Sequence, residues 1–160
     1  RILRNFDISS IDSALIISSS GTNIVPIEMA ELFQQQKVKV VSIITQQHSA
    51  KSQSKRSDGK KLSDFSDLVL DTGAPVGDSM IYINGLETPV APGSTVGGAM
   101  LINCIKAEVA RLLTEAGQPP KVLTATNVVS KERATQLFES AYDEHAHRLA
   151  KLYEHVGTKK

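Results

Sequence analysis

The chain has 160 residues, 41% of them hydrophobic and 22% charged, with a formal net charge of +1. That is the length of about one domain with a real core, and a charge balance that predicts neither nucleic acid nor an anionic membrane surface as a partner. Cys104 is the sole cysteine, which excludes an internal disulfide and fits a reducing cytoplasm, and no apolar run reaches the roughly 18 residues of a membrane span.

The opening stretch, Arg1-Ile2-Leu3-Arg4-Asn5, has no signal-peptide character and lacks Met, so the sequence reads as the C-terminal portion of a longer domain. Ser13 to Ile17 is apolar and β-branched, as a strand buried on both faces is. A turn follows, Ser18-Ser19-Ser20-Gly21-Thr22-Asn23, and then a helix over Val25 to Gln36, with Asn23 as cap and Pro26 in the first turn. Val25, Met29, Leu32 and Phe33 give that helix a core-facing stripe, while Glu28, Glu31, Gln35 and Gln36 face outward. Val38 to Ile44 is the next strand, completing a βαβ unit with a right-handed crossover.

Gln46 to Lys61 is polar, basic and without periodicity, and reads as a long mobile loop. A short helical turn, Leu62 to Phe65, leads to a third strand at Leu68 to Asp71. Thr72 to Asp78 is turn chemistry, and Met80 to Ile83 with Glu87 to Val90 form a small hairpin about Asn84-Gly85. Ser94 to Ala116 is a helix so apolar in its first half that burial on more than one side is expected, with Cys104 as a small core residue. Val122 to Ala125 is a candidate fourth strand. From Ser130 runs a last helix, whose apolar face carries Ala134, Leu137, Phe138, Ala141, Tyr142, Leu149 and Leu152. The alternation is that of an α/β fold, a single domain over residues 1–160 built on a mainly parallel sheet.

Ligands of such sheets bind outside the carboxyl ends of the strands. Ser18 to Asn23 lies there after one strand and Thr45 after the next, with a helix N-terminus and its dipole behind the loop. The residues therefore suit an anion, and equally they suit a plain turn in which serines are common and Gly21 eases the bend. The loop lacks the spacing of a dinucleotide fingerprint and the lysine of a P-loop, so no cofactor is called for.

Ile17-Ser18-Ser19-Ser20-Gly21-Thr22-Asn23 resembles the S-x-S-G-x-T/N signature of SIS (sugar isomerase) domains, and Val41 to Thr45 resembles their following strand and threonine. The similarity extends to a bacterial branch of proposed sugar-phosphate isomerases and phosphosugar-binding proteins. It runs through Val25-Pro26-Ile27-Glu28-Met29-Ala30, Thr45-Gln46-Gln47-His48-Ser49, Gly59-Lys60-Lys61-Leu62, Asp67 to Asp71, Gly77-Asp78 and Ser94-Thr95-Val96-Gly97-Gly98-Ala99. Thr22, Ile24 and Asp58 depart from that branch, and the earlier strand and helices of the SIS pattern do not precede Arg1. The resemblance implies a flavodoxin-like, Rossmann-like three-layer sandwich that holds the phosphate of an aldose or ketose phosphate. It implies Ser18, Ser20, Asn23 and Thr45 as phosphate contacts, with Ser19, Gly21 and Thr22 between them, and a pairing into homodimers or larger assemblies.

Aldose–ketose isomerisation needs a base that moves a proton between C1 and C2. Glu28, on the first turns of the helix behind the loop, is a candidate base or a solvated carboxylate; His48 is a candidate or an exposed loop histidine. Asp71 and Asp78 flank a turn and suit turn-stabilising bonds. His145 and His147 are two apart on a helix and make a poor metal pair, so no metal is expected, and His145 suits an interface. The functions left open are a phosphosugar isomerase, a non-catalytic phosphosugar-binding domain, and a flavodoxin-like module for another phosphate ligand.

Overall fold

A computed structural model describes Leu3 and residues 6–154 of the chain; Arg1, Ile2, Arg4 and Asn5 of the opening stretch, and the Leu152 side chain assigned to the last helix, lie outside the described residues. These divide into two compact units, one of Ile8–Ile105 and one built mainly of the chain from Lys106 onward.

The first unit is organised on a three-stranded parallel sheet, β1 (Ser13–Ile17), β2 (Lys39–Ile44) and β3 (Leu68–Asp71), in that order. Between β1 and β2 runs α1 (Ile24–Gln35), so the expected βαβ unit is present. One face of the sheet is covered. Ala14, Val40 and Ile44 from the strands pack with Ile27 and Ala30 of α1 and with Leu62 and Phe65 of a 3₁₀ turn, Leu62–Phe65. On the other face Leu15, Ile17 and Leu68 are 43%, 57% and 52% exposed, so the described residues form a mixed α/β unit with a small parallel sheet covered mainly on one side.

The stripe of α1 differs from its expectation. Ile27 and Ala30 are wholly buried, whereas Val25 and Leu32 are about half exposed. Ile24, Val25, Ile27, Met29 and Ala30 are all apolar, so two overlapping stripes exist and the sheet selects the one that begins at Ile27.

The segment read as a long mobile loop is structured. Its first part is a helix, α2 (Gln46–Lys51), and the remainder is a strap tied to α1 and to the turn after β1, as set out below. Nothing in its polar sequence repeats at helical spacing. The helix forms because Asp71 Oδ1 accepts from Gln46 N at 3.0 Å and caps its first turn.

The hairpin exists with a shifted pairing: β4 (Ser79–Ile81) and β5 (Val90–Pro92) are antiparallel, with Ser79 opposite Pro92 and Ile81 opposite Val90. Asn84-Gly85 remains in the connecting turn, and residues 87–89 do not pair.

α3 (Gly93–Glu115) begins where Asp78 accepts from both Ser94 N and Ser94 Oγ at 2.7 Å, so this side chain serves the start of the helix, whereas Asp71, accepting from Gly73 N, bonds within the turn. The helix is not buried on several sides. Its buried residues are Gly93, Gly97 and Gly98, while Val96 and Met100 are more than 60% exposed and Cys104 is exposed, which corrects the core assignment of the cysteine. Contact here is made by glycine backbone, which an apolar count overlooks.

In the second unit, residues 122–125 are not a strand: Val122 and Leu123 are about 60% exposed, and among the described residues nothing pairs with them. α4 (Lys131–Tyr153) starts as expected at Ser130, whose hydroxyl accepts from Arg133 N at 3.2 Å. Ala134, Leu137, Ala141 and Leu149 are half-buried along it, and Phe138 and Tyr142 stack on its exposed side. Lys121 reaches across to Ser140 O and to Glu144. No helix among the described residues is long and apolar enough to cross a membrane.

Candidate functional site

Each parallel strand ends at the same edge in a hydroxyl residue. β1 runs into Ser18 and Ser19, β2 into Thr45 and β3 into Thr72. The ladder continues past the strands, with Ser18 N donating to Ile43 O at 3.0 Å, Thr45 N to Ser19 O at 2.8 Å and Thr72 N to Ile44 O at 2.9 Å. These bonds fix the side chains in a row. Ser19 Oγ and Thr45 Oγ1 are 3.4 Å apart, and Thr45 Oγ1 and Thr72 Oγ1 are 2.7 Å apart. Thr45 is fully buried in the middle of the row; Ser19 and Thr72 flank it half-buried.

Above the row the chain turns through Gly21, whose φ of 64° is in the region that favours glycine. Its N–H donates to Ser18 O at 3.1 Å and its carbonyl accepts from Leu62 N at 2.8 Å. Ser18 and Thr22 are buried, and Ser20 Oγ bonds Thr22 Oγ1 at 2.8 Å. Asn23 is the N-terminal flanking residue of α1, yet its side chain does not cap the helix. It accepts instead from Lys55 Nζ at 2.7 Å. Pro26 has no N–H and Ile27 N donates to Asn23 O at 3.4 Å, so the amides left without a side-chain cap in the first turn of α1 are those of Ile24 and Val25, and the dipole makes them an anion-favouring end.

A strap closes over this loop. Lys55 N donates to Thr22 O, and Arg56 donates to Glu31 of α1 and to Asp58 at 2.7 Å. Hydrogen bonds to Asp58 and then Glu31 hold the Arg56 guanidinium above its ordinary range, and Arg56 in turn lowers Asp58. Arg56 is the least exposed of the three and stacks 5.3 Å from the Phe65 ring centroid. Lys61 Nζ donates to Ser49 O at 2.5 Å, joining the strap to α2.

The two candidate bases are on different elements. Glu28 is exposed on α1, in a shallow groove it shares with Ile24, Lys55, Ser57 and Asp58. His48 is half-buried on α2, where its Nδ1 accepts from Gly77 N at 3.2 Å in the turn after β3. A neutral His48 in that arrangement carries its proton on Nε2. Asp71, at the end of β3, accepts from Gln46 N and Gly73 N. His145 lines a groove of the second unit with Pro119, Pro120 and Arg148, and His147 Nδ1 lies 3.2 Å from Asp143 O on its own helix.

Ser19 and Thr45, and Ser20 and Thr22, are thus brought together from the loop the sequence singled out. Thr72 and Lys55 are partners it did not assign. A signal for Thr72 was present: it follows Asp71 as Thr45 follows Ile44, and Ile44 and Asp71 are in register.

No protein-family model matches the chain. It is similar to a UPF0309 protein of Listeria innocua, 35% identical over 138 residues that make up 86% of this chain and 56% of the relative. A UPF0309 protein of Halalkalibacterium halodurans is 36% identical over 126 residues, 79% of this chain and 52% of the relative. One of Streptomyces avermitilis is 33% identical over 127 residues, 79% and 51% respectively. The chain spans about half the length of these relatives. These findings overturn the assignment to the sugar isomerase domains: no model of that domain matches, and the relatives carry the UPF0309 name. The short serine-glycine signature that suggested it is compatible with any strand–turn–helix anion loop.

Proposed function

We propose that the edge formed by Ser18 to Asn23, Thr45 and Thr72 is a seat for the phosphate of a small phosphorylated sugar. The observation that carries the reading is the hydroxyl row from three adjacent parallel strands, set beside an α1 N-terminus whose flanking Asn23 side chain is turned to Lys55. Hydroxyls and first-turn amides donate to phosphate oxygens, and a rim of hydroxyls suits a polyol. The same reading takes the sheet as the middle of a three-layer α/β sandwich, with the apolar face of Leu15, Ile17 and Leu68 covered by a second layer. A single exposed cysteine fits a reducing cytoplasm.

On this reading the reaction served is aldose–ketose interconversion: a base removes the C2 proton of the aldose phosphate, and the proton returns to C1 of the enediol. His48 is the candidate in the fold for that step, because α2 starts at the ligand edge of the sheet. Glu28 is the second candidate. A non-catalytic binding domain is favoured by two observations, the engagement of His48 Nδ1 with Gly77 N and the exposure of Glu28. Incubation with hexose, pentose and heptose phosphates in D₂O, followed by NMR, separates the two. Deuterium entering at C2, and lost in His48→Ala or Glu28→Gln, supports catalysis; saturable binding without exchange supports the binding domain. Absence of both removes the proposal.

A further inference from the structure

We infer that Thr72 supplies the outer hydroxyl of the phosphate seat and that Gly97 of α3 is the positioning residue that keeps it there, an inference that rests on the phosphate-seat reading above. The hydroxyl of Thr45 lies within a fully buried residue, between Ser19 and Thr72, so it orients its neighbours while a phosphate oxygen meets the half-buried hydroxyl of Thr72 at the outer end of the row.

Proton order fits this division. A hydroxyl has one proton to donate. If Ser19 donates to Thr45 and Thr45 donates to Thr72, the Thr72 proton is left to donate outward. The Thr72 oxygen also accepts from Ala74 N at 3.4 Å, which fills an acceptor position and leaves the donor one. A hydrogen-bond acceptor at the Thr72 end, such as a phosphate oxygen, selects this order; a donor there selects the reverse.

Thr72 is held from both sides. Its N–H is fixed to Ile44 O at 2.9 Å, and its carbonyl faces α3 so closely that a Cβ at Gly97 would stand 2.1 Å from Thr72 O and 2.9 Å from its carbon. No side chain fits at 97 without moving Thr72. The next residue is different: a Cβ at Gly98 would meet nothing within 4 Å. Glycine is a poor helix former, so its presence at 97 has a packing reason that its presence at 98 lacks.

The test is titration of the chain with inorganic phosphate and with glucose 6-phosphate, read by calorimetry, with thermal melts of each variant. Thr72→Ser binds within about twofold of wild type, and Thr72→Val binds at least about tenfold more weakly, as loss of a hydrogen bond to a charged group requires. Gly97→Ala weakens binding comparably while Gly98→Ala does not. The double variant Thr72→Val/Gly97→Ala binds no worse than Thr72→Val alone, a non-additivity that a general loss of stability does not produce. If Gly97→Ala does not fold, the Thr72→Ser and Thr72→Val pair decides the main assignment. Wild-type binding with equal binding by Thr72→Val overturns the role of Thr72 and leaves the seat standing. Additive Thr72 and Gly97 effects overturn the positioning role. Failure of the wild type to bind either probe overturns the seat itself.

Discussion

Lys55 Nζ donates to the side-chain oxygen of Asn23 at 2.7 Å, so the strap after α2 places an ammonium beside the first turn of α1. That ammonium stands where it can meet an anion bound at the loop. Lys55→Met is therefore expected to weaken phosphate binding about two- to fivefold at low salt, the scale of exposed charge pairs, with the difference shrinking at high salt. Calorimetric titration at two ionic strengths measures it; equal affinities at low salt count against a role for Lys55.

Acid should loosen the base of the sheet. Lys39 donates to Asp67 at 2.7 Å and Val40 N donates to it at 2.9 Å, and these bonds hold the Asp67 carboxyl below its ordinary value of 3.8. A carboxyl lowered in the fold adds stability above its unfolded value, and that stability is lost as pH falls through the folded value. The melting temperature of the wild type is expected to drop below about pH 4. Asp67→Asn should melt lower near neutrality and show a shallower acid slope. Identical slopes would remove Asp67 as a source of the acid sensitivity.

Ser42, on the covered face of β2, is fully buried, and its hydroxyl has no partner among the described residues. A buried unsatisfied hydroxyl costs ~1–3 kcal/mol of desolvation, so Ser42→Ala should hold or raise stability by about 1 kcal/mol. Urea unfolding checks this, and a clear loss of stability would show that the hydroxyl is satisfied in solution.

Gly21 is buried with φ 64°, and a Cβ there would touch Ile44, Ser49 and Leu62 at 3.5–3.6 Å, which is ordinary contact. The penalty of Gly21→Ala is therefore conformational and not steric, about 1–2 kcal/mol. Denaturant unfolding should show that loss with the cooperative slope unchanged. A loss well above that range would mean that the bond from Leu62 N to Gly21 O has also broken.

What was legible in the sequence was whatever period and punctuation report. β1, β2 and β3 are continuous apolar runs, and α4 is announced by Ser130. The serine turn after β1 follows from its place between strand and helix. What escaped was set by contacts between distant residues. α2 depends on Asp71 arriving from β3, and the face of α1 depends on which stripe the sheet takes. The environment of α3 depends on glycine backbone against Thr72, which no hydropathy count registers. Thr72 escaped for a related reason, since its place beside Thr45 requires the register of β2 and β3.

The phosphate seat is tested most directly by following backbone amide shifts by NMR while a panel of sugar phosphates, and the same sugars without phosphate, is titrated into the ¹⁵N-labelled chain. The account predicts saturable shifts at Ser19 to Val25 and at Thr45 and Thr72 with the phosphorylated sugars alone, weakened about 10- to 100-fold in Ser20→Ala. Shifts absent from that edge, or equal with unphosphorylated sugars, would contradict it.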